Sequence, residues 1–286
     1  MKNNGILLLT NKEKLKKQLL FTQSETGFSP LLLEKDYYLT VLLIQIAEAS
    51  LPLIFKGGTC LNKCYLGFYR LSEDLDFMYD FNAISTRPER RNIFKEIEKN
   101  MLNIINLIPD ISLINTFKFN KHQQLQMHFS YESVFGGKSL IKFEVNCQYP
   151  LEIKSESQTI NHLFKHPFTG QNIISEYLIK SISLLEAVSE KIRACLTRKV
   201  LAIRDYFDVW YLKKHFKFDF SHVKLKKLIQ TKLKQYDSII DIKQNYGLLK
   251  RQIKTELEPT LQTNAAVEFD LKETMDFVLK FSIESA

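Results

Sequence analysis

Glycine and proline are scarce in this sequence, with 9 Gly and 7 Pro among 286 residues. Collagen-like chains and disordered Pro/Gly-rich chains contain far more of both, so these classes are excluded. Hydrophobic residues make up 45% and charged residues 25%, which is the balance of an ordinary globular protein. A chain of this length can form a main domain and a smaller second one.

Cysteine is also rare, and no disulfide framework is visible. The four cysteines are Cys60, Cys64, Cys147 and Cys195. Cys60 and Cys64 lie four residues apart, but no second His or Cys pair follows at the distance of a zinc site. Free thiols in a reducing compartment are therefore the favoured interpretation.

No stretch of the sequence is apolar enough to predict a membrane span. The most apolar one, residues 37–55, is interrupted by Gln45, Glu48 and Pro52. Near the first residue, lysines follow a short apolar run instead of preceding it, which is the wrong order for a secretory signal. Together with free thiols, these features predict a cytoplasmic protein.

Positive charge exceeds negative charge, with 40 Lys and Arg against 32 Asp and Glu, a net charge of +8. Residues 213–254 concentrate the excess, with 12 Lys and Arg against 3 Asp, whereas residues 255–286 hold 2 Lys against 7 acidic residues. Two interpretations stay open: a solvated helix face partly paired with the acidic segment, or a binding surface for nucleic acid.

Hydrophobic periodicity predicts an α+β fold with a mixed sheet, followed by an all-α C-terminal domain. Helices are expected at residues 12–24, 31–50 and 88–108, and strands at 53–55, at 74–77 and within 112–153, where Gly136-Gly137 forms a turn. The last part reads as helix throughout, over residues 175–198, 203–214, 221–235, 246–257 and 271–284. We place the domain boundary so that residues 1–165 form the sheet-containing domain and 166–286 the helical one.

A Gly-Gly pair, Gly57 and Gly58, ends the first short strand and leads into a helix. Without side chains, these residues leave backbone N–H groups where a phosphate can approach closely. The hydroxyl of Thr59 and the ammonium of Lys63, one turn later, are expected to face the same anion. The pattern predicts a phosphate-binding element.

The second motif is Asp74-Leu75-Asp76 on a short strand. Because strand side chains alternate between faces, both carboxylates project from one face while Leu75 and Phe77 point to the core. Two carboxylates this close repel each other unless a cation lies between them. Their hard oxygen ligands suit Mg²⁺.

Each motif alone is common in turns or on exposed strands, but the combination in this order is far more specific. The sequence resembles the nucleotidyltransferase AbiEii/AbiGii toxin family of the polymerase-β-like nucleotidyltransferase superfamily. The resemblance covers about residues 30–215. It rests on four elements: residues 34–37, 57–63, 70–77 and 190–208.

The resemblance implies transfer of a nucleoside monophosphate from an NTP to an acceptor, with release of pyrophosphate. Gly57, Gly58, Thr59 and Lys63 would then bind the triphosphate. Asp74 and Asp76 would ligate Mg²⁺, with Mn²⁺ as an alternative. Members of the superfamily use a third carboxylate on a neighbouring strand, and Glu144 matches it here, although that position is more often Asp.

The resemblance also assigns roles to the predicted helical domain. Lys191 would contact the nucleotide phosphates, and Asp205 or Asp208 would orient the nucleotide or the acceptor across a cleft between the domains. From the sequence alone, Lys191 and Arg198 are two helical turns apart, and Arg204 and Asp208 could form a surface ion pair.

By analogy with the family, the protein would be the toxin of a toxin–antitoxin or phage-defence pair, with a separately encoded antitoxin as partner. RNA, and tRNA in particular, is the favoured acceptor because of the basic segment 213–254. Two alternatives stay open. One is attachment of the nucleotide to a protein side chain, and the other is a catalytically silent protein that binds a nucleotide or a partner.

Overall fold

The structure is a computed structural model, and it describes residues 10–79, 86–120, 123–235, 241–263 and 268–283. The chain divides into two compact units. Unit 1 comprises Met1–Leu151 and Ser155–Ile182, and unit 2 comprises Glu152–Lys154 and Ser183–Ala286. In the described part of the chain, no helix combines the length and hydropathy that crossing a bilayer requires.

Unit 1 combines a sheet with helices. Its helices are α1 (Lys12–Thr26), α2 (Pro30–Glu48), α3 (Gly57–Cys60), which continues as a π-helical turn (Leu61–Leu66), and α4 (Arg87–Ile105). Its strands are β1 (Leu53–Lys56), β2 (Asp74–Tyr79), β3 (Ile111–Phe119), β4 (Gln124–Glu132), β5 (Lys138–Asn146), β6 (Glu156–Thr159) and β7 (Leu178–Ser181).

The seven strands form one mixed sheet in the order β3-β4-β5-β2-β1-β7-β6. Strand β2 is parallel to β5 and antiparallel to β1, so it lies in the middle of the sheet. Alternation sorts the side chains of β2 as predicted: Leu75 and Phe77 are fully buried, whereas Asp74 and Asp76 are half-buried. One face of the sheet is therefore apolar, and the other carries the acidic pair.

The largest departure from the predicted elements is β7. The apolar spacing of residues 175–198 predicts one helix, but Leu178–Ser181 form a strand and the helix begins only at Leu184. Strand β7 pairs in parallel with β1, and the amide of Ile182 donates to the carbonyl of Phe55 at 3.0 Å. A segment as short as Leu-Ile-Lys-Ser fits a strand or a helix equally well, and pairing with β1 decides the outcome. The sheet therefore extends beyond residue 165, where the sequence analysis placed the domain boundary.

Unit 2 is all-α in its described residues. It contains α5 (Leu184–Thr197), α6 (Ile203–Lys214), α7 (Val223–Leu233), α8 (Tyr246–Gln252) and α9 (Leu271–Ile283), with short 3₁₀ or π turns at Lys243–Asn245, Ile253–Leu257 and Glu258–Thr260. Helix α5 buries an apolar stripe that includes Val188 and Ile192, and helix α6 buries one that includes Val209. The predicted α+β fold with a helical C-terminal part is confirmed.

Candidate active site

The centre of the candidate site is a row of side chains across three strands of unit 1. In the sheet register, Lys56 of β1 is the partner of Asp76 of β2, and Asp76 is the partner of Glu144 of β5. Partners in adjacent strands lie side by side on the same face. The sheet thus places Glu144 next to Asp76, although they are 68 positions apart in the sequence.

A second row lies beside the first, where Asp74 of β2 is the partner of Lys142 of β5. The ammonium of Lys142 is 2.9 Å from Oε2 of Glu144, and Gln126 of β4 donates to the same oxygen at 3.4 Å. The three predicted carboxylates therefore lie on one face, among two lysines that partly compensate their charge.

The carboxylates of this cluster differ in their ease of ionisation. Burial, followed by the negative charges of Glu144 and Asp74, raises the pKa of Asp76 to about 6. Burial also opposes the charge of Glu144, but the hydrogen bond and the charge of Lys142 outweigh it and lower the pKa of Glu144. The charge of Asp76 is therefore less compensated than that of Glu144, and a bound cation would stabilise it.

The Gly-Gly pair packs directly against this cluster. Gly57 has a φ of +82°, and a Cβ at this position would collide with the carboxylate of Asp76. A Cβ on Gly58 would lie 2.8 Å from Nη2 of Arg70, whose side chain is buried. Glycine is thus required at position 57, a side chain at position 58 would displace the Arg70 guanidinium, and the start of α3 is held against the acidic strand.

Two residues predicted to face a phosphate are placed elsewhere. Thr59 is buried, and its hydroxyl donates to the carbonyl of Asp74. Lys63 is fully buried, with its ammonium 2.8 Å from Oδ1 of Asp36 and 2.9 Å from Oγ1 of Thr40. Their side chains join α3 and the π-helical turn to β2 and α2, so only the glycines of this motif lie at the carboxylate cluster.

The donor chemistry of the cluster fits a divalent cation. Carboxylate oxygens on neighbouring strands are suitable ligands for Mg²⁺. Burial, followed by the negative charges of Glu144 and Asp74, raises the pKa of Asp76, and a cation would offset both effects. Among the described residues, no three His, Cys, Asp or Glu side chains converge tightly enough to hold a metal. The sheet register brings the three carboxylates to one face, but the Glu144 side chain is turned towards Lys142 and does not converge with the two aspartates.

The remaining predicted residues form a separate cluster in unit 2. The ammonium of Lys191 on α5 lies 2.7 Å from Oδ1 of Asp205 and 2.7 Å from Oδ2 of Asp208, both on α6. Arg198 completes the cluster, with Nη1 2.8 Å from Oδ2 of Asp205. Burial opposes the charge of Asp205, but Lys191 and Arg198 outweigh it and lower its pKa.

Sequence spacing did not indicate that Asp208 is buried or that it contacts Lys191. Arg204 and Asp208 lie one turn apart on α6, but the carboxylate of Asp208 is fully buried and pairs with Lys191. Lys191 is itself engaged by two carboxylates. The predicted roles of Lys191, Asp205 and Asp208 in nucleotide binding stay predictions.

Sequence reasoning missed three partners of the predicted residues. Lys56 lies beside Asp76, Gln126 binds Glu144, and Asp36 neutralises Lys63. Lys56 directly precedes the Gly-Gly pair, so its closeness to the phosphate element could have been noticed. Gln126 gave no signal, and Asp36 stood out only as part of the family motif at residues 34–37, because the partners of both lie on elements distant in the sequence.

Comparison with known protein families and structures identifies the family of this chain. The sequence model described as "Nucleotidyl transferase AbiEii toxin, Type IV TA system" matches residues 42–279. Among solved structures, the chain is similar to MenT4, a nucleotidyltransferase toxin from Mycobacterium tuberculosis H37Rv. The TM-score is 0.53 at 14% identity, and the match covers 96% of this chain and 99% of that one, so it supports a common fold. A comparison with curated protein sequences gave no match.

Proposed function

The chain belongs to the AbiEii family of nucleotidyltransferase toxins, and on this basis we propose that it transfers a nucleoside monophosphate from an NTP to RNA, tRNA in particular. Pyrophosphate is the second product. Membership of the family makes the protein a nucleotidyltransferase of the toxin class. The RNA acceptor, the divalent metal and the antitoxin partner are our proposals beyond what family membership shows.

One observation carries the assignment of the active site to unit 1. The register Asp76–Glu144, with Asp74 on the same face and Gly57 packed against Asp76, joins both sequence motifs at one place. Asp74, Asp76 and Glu144 are the residues that would hold Mg²⁺ or Mn²⁺. A bound divalent cation supplies charge stabilisation to the transferring phosphate.

The residues around the carboxylates have distinct tasks in this proposal. Gly57 and Gly58 keep the backbone beside Asp76 open to the triphosphate, because neither carries a side chain. Lys56 and Lys142 contribute positive charge next to Asp76 and Glu144, which lowers the cost of bringing a polyanion to an acidic surface.

The positive charge of segment 213–254 supports an RNA acceptor, although part of this charge is neutralised by buried ion pairs within the protein. Lys232 is buried between Glu186 and Glu190, with its ammonium 2.5 and 2.6 Å from their oxygens. Lys224, Lys227 and Lys234 are exposed on or beside α7. Residues 236–240 of the segment lie outside the described part of the chain. Exposed lysines along one helix are a suitable surface for an RNA backbone.

A separately encoded antitoxin is the expected protein partner, since the matching family is described as part of a toxin–antitoxin system. Inhibition of label transfer by the product of a neighbouring gene would test this assignment directly.

The decisive experiment measures transfer of label from NTPs carrying a labelled α-phosphate to purified tRNA in the presence of Mg²⁺. We expect transfer by the wild-type protein, and a rate below about 1% of wild type for Asp76→Asn, which removes the central carboxylate charge. The matched control is Asp276→Asn, which changes an exposed aspartate on α9 and should leave the rate unchanged. No transfer to tRNA with any NTP would refute the proposed acceptor.

Incubation with a cell lysate separates RNA from protein acceptors. If label enters material that RNase digests, the RNA assignment stands. If label enters material that only protease digests, the acceptor is a protein side chain and the proposal of an RNA acceptor is wrong.

A further inference from the structure

Strand β3, at one edge of the sheet, exposes two large aromatic side chains. Phe117 is 39% exposed and Phe119 is 42% exposed. Their rings stack with centroids 5.9 Å apart, and His128 of β4 lies edge-on to Phe117 at 5.4 Å. Exposed phenylalanines in contact with one another lose hydrophobic free energy that burial would provide, so a binding role is the natural explanation.

These aromatics lie on the same face of the sheet as the candidate active site. Phe117 is the register partner of Gln126, Gln126 of Glu144, and Glu144 of Asp76. The four side chains form one row perpendicular to the strands.

Lys118, between Phe117 and Phe119 on β3, shows which face of the sheet the two rings occupy. Its ammonium is 2.7 Å from Oε2 of Glu98 on α4, so Lys118 points to the helix-covered face. Because strand side chains alternate, Phe117 and Phe119 point to the opposite face, the one that carries the carboxylates.

The spacing of strands places the aromatic pair close to the carboxylates. Two strand intervals separate Phe117 from Glu144, and each is about 4.8 Å, so their backbones lie about 10 Å apart. This separation is within the span of the last few nucleotides of a single strand whose end lies at the carboxylate cluster.

We propose that Phe117 and Phe119 form a stacking platform for bases of a single-stranded RNA acceptor, next to its reacting end. The inference rests on the proposed function and adds the form of the acceptor. Aromatic rings on an open sheet face bind unpaired bases by stacking. Gln124, Gln126 and His128 flank the rings on β4 and supply hydrogen-bonding groups for base edges.

The charges on this face favour bases over a phosphate backbone. Where no cation is bound, Asp74, Asp76 and Glu144 repel phosphate groups, whereas a base is uncharged and can lie flat on a phenyl ring. The polar side chains of β4 between the rings and the carboxylates also favour a nucleobase over an apolar protein segment, which would leave their remaining hydrogen-bonding groups unsatisfied when buried.

The test compares steady-state transfer by wild type and by the double variant Phe117→Ala/Phe119→Ala. We expect the KM for the RNA acceptor to rise about tenfold to a hundredfold, as expected from the loss of one stacked base, while the KM for NTP stays unchanged. The matched control is Phe168→Ala, which removes a phenylalanine that is 92% exposed elsewhere in unit 1. A rise in the KM for NTP instead of the acceptor would overturn the proposal.

A binding measurement keeps this test separate from the proposed chemistry. Phe117→Trp retains a stacking ring and gives a fluorescent reporter on β3, so a single-stranded oligonucleotide without NTP should quench it and a duplex should not. If quenching occurs but no RNA is labelled, the platform stands and the proposed reaction fails. If no quenching occurs, or if the double alanine variant only changes the oligomeric state in light scattering, the platform is wrong.

Discussion

Gly57 is subject to two separate constraints, a backbone φ of +82° and the carboxylate of Asp76 where a Cβ would lie. Gly137 isolates the first constraint, because its φ is +80° and nothing lies within 4 Å of a Cβ built there. Alanine substitutions at the two positions therefore separate the free-energy cost of backbone strain from the cost of the close approach to Asp76.

We therefore expect Gly137→Ala to lower the free energy of unfolding by about 1 kcal/mol, the usual cost of a left-handed alanine, with label transfer unchanged. Gly57→Ala should cost at least about twice as much and reduce transfer by about a hundredfold, because Asp76 must move. Urea unfolding and label transfer measure the two effects. Equal activity of the two variants would show that Gly57 does not position Asp76.

At the scale of elements, α2 organises the candidate site through successive residues. Glu34 accepts hydrogen bonds from Ser133 and Val134, and Lys35 lies 2.7 Å from Oε2 of Glu73, next to the acidic strand. The following residue, Asp36, binds Lys63 in the π-helical turn that follows the Gly-Gly pair. One helix thus fixes three segments, two of which flank the carboxylates.

The ion pair between Lys63 and Asp36 gives a prediction that distinguishes a structural role of Lys63 from a role in phosphate binding. Both side chains are fully buried, so Lys63→Met leaves a buried carboxylate without its partner and should cost about 3–5 kcal/mol in urea unfolding. Adding Asp36→Asn should restore part of that loss, since the uncompensated charge is then gone. If Lys63→Met instead leaves stability unchanged and raises the KM for NTP, the ammonium binds the triphosphate.

Helices α5 and α6 are joined by the cluster of Lys191, Asp205 and Asp208, which predicts a pH-dependent stability. The pKa of Asp205 is lowered in the folded state, so its contribution is present above the unfolded pKa and is lost as pH falls through the folded one. Lys191→Met should cost about 3–5 kcal/mol at neutral pH and move acid unfolding to higher pH, because the pKa of Asp205 then rises.

The matched control in this cluster is Arg198→Met. The Arg198 side chain is 52% exposed, so its ion pair is screened by solvent and its loss should cost less than about 1 kcal/mol. Urea unfolding from about pH 3 to pH 8 measures both variants. A larger cost for Arg198→Met than for Lys191→Met would contradict the assignment of Lys191 as the buried centre of the cluster.

At the scale of the whole molecule, the net charge of +8 predicts how an RNA acceptor should respond to salt. Each phosphate neutralised by a lysine or arginine releases condensed counterions, so raising KCl from about 50 to 200 mM should raise the KM for RNA about tenfold for two or three contacts. The KM for NTP should change less, and potassium glutamate in place of chloride serves as a control for anion effects. An acceptor KM independent of salt would argue against a phosphate-binding surface.

Much of this protein is determined by local sequence. Alternation along β2 places Asp74 and Asp76 on one face whatever lies beside the strand, and the Gly-Gly pair marks a close backbone approach. The periodicity of the helical part is equally local, so the α+β fold with an all-α end follows from the sequence. These features depend on residues within a few positions of each other.

Tertiary structure alone decided which elements became neighbours. The placement of β5 next to β2 brings Glu144 to Asp76 and aligns Phe117 with both. The pairing of β7 with β1 turns the first part of an expected helix into a strand. The partner of Lys63 was decided in the same way, by the packing of α2 on the π-helical turn. Strand order and register depend on burial across the whole sheet, whereas the period of a strand or helix is set by its own backbone.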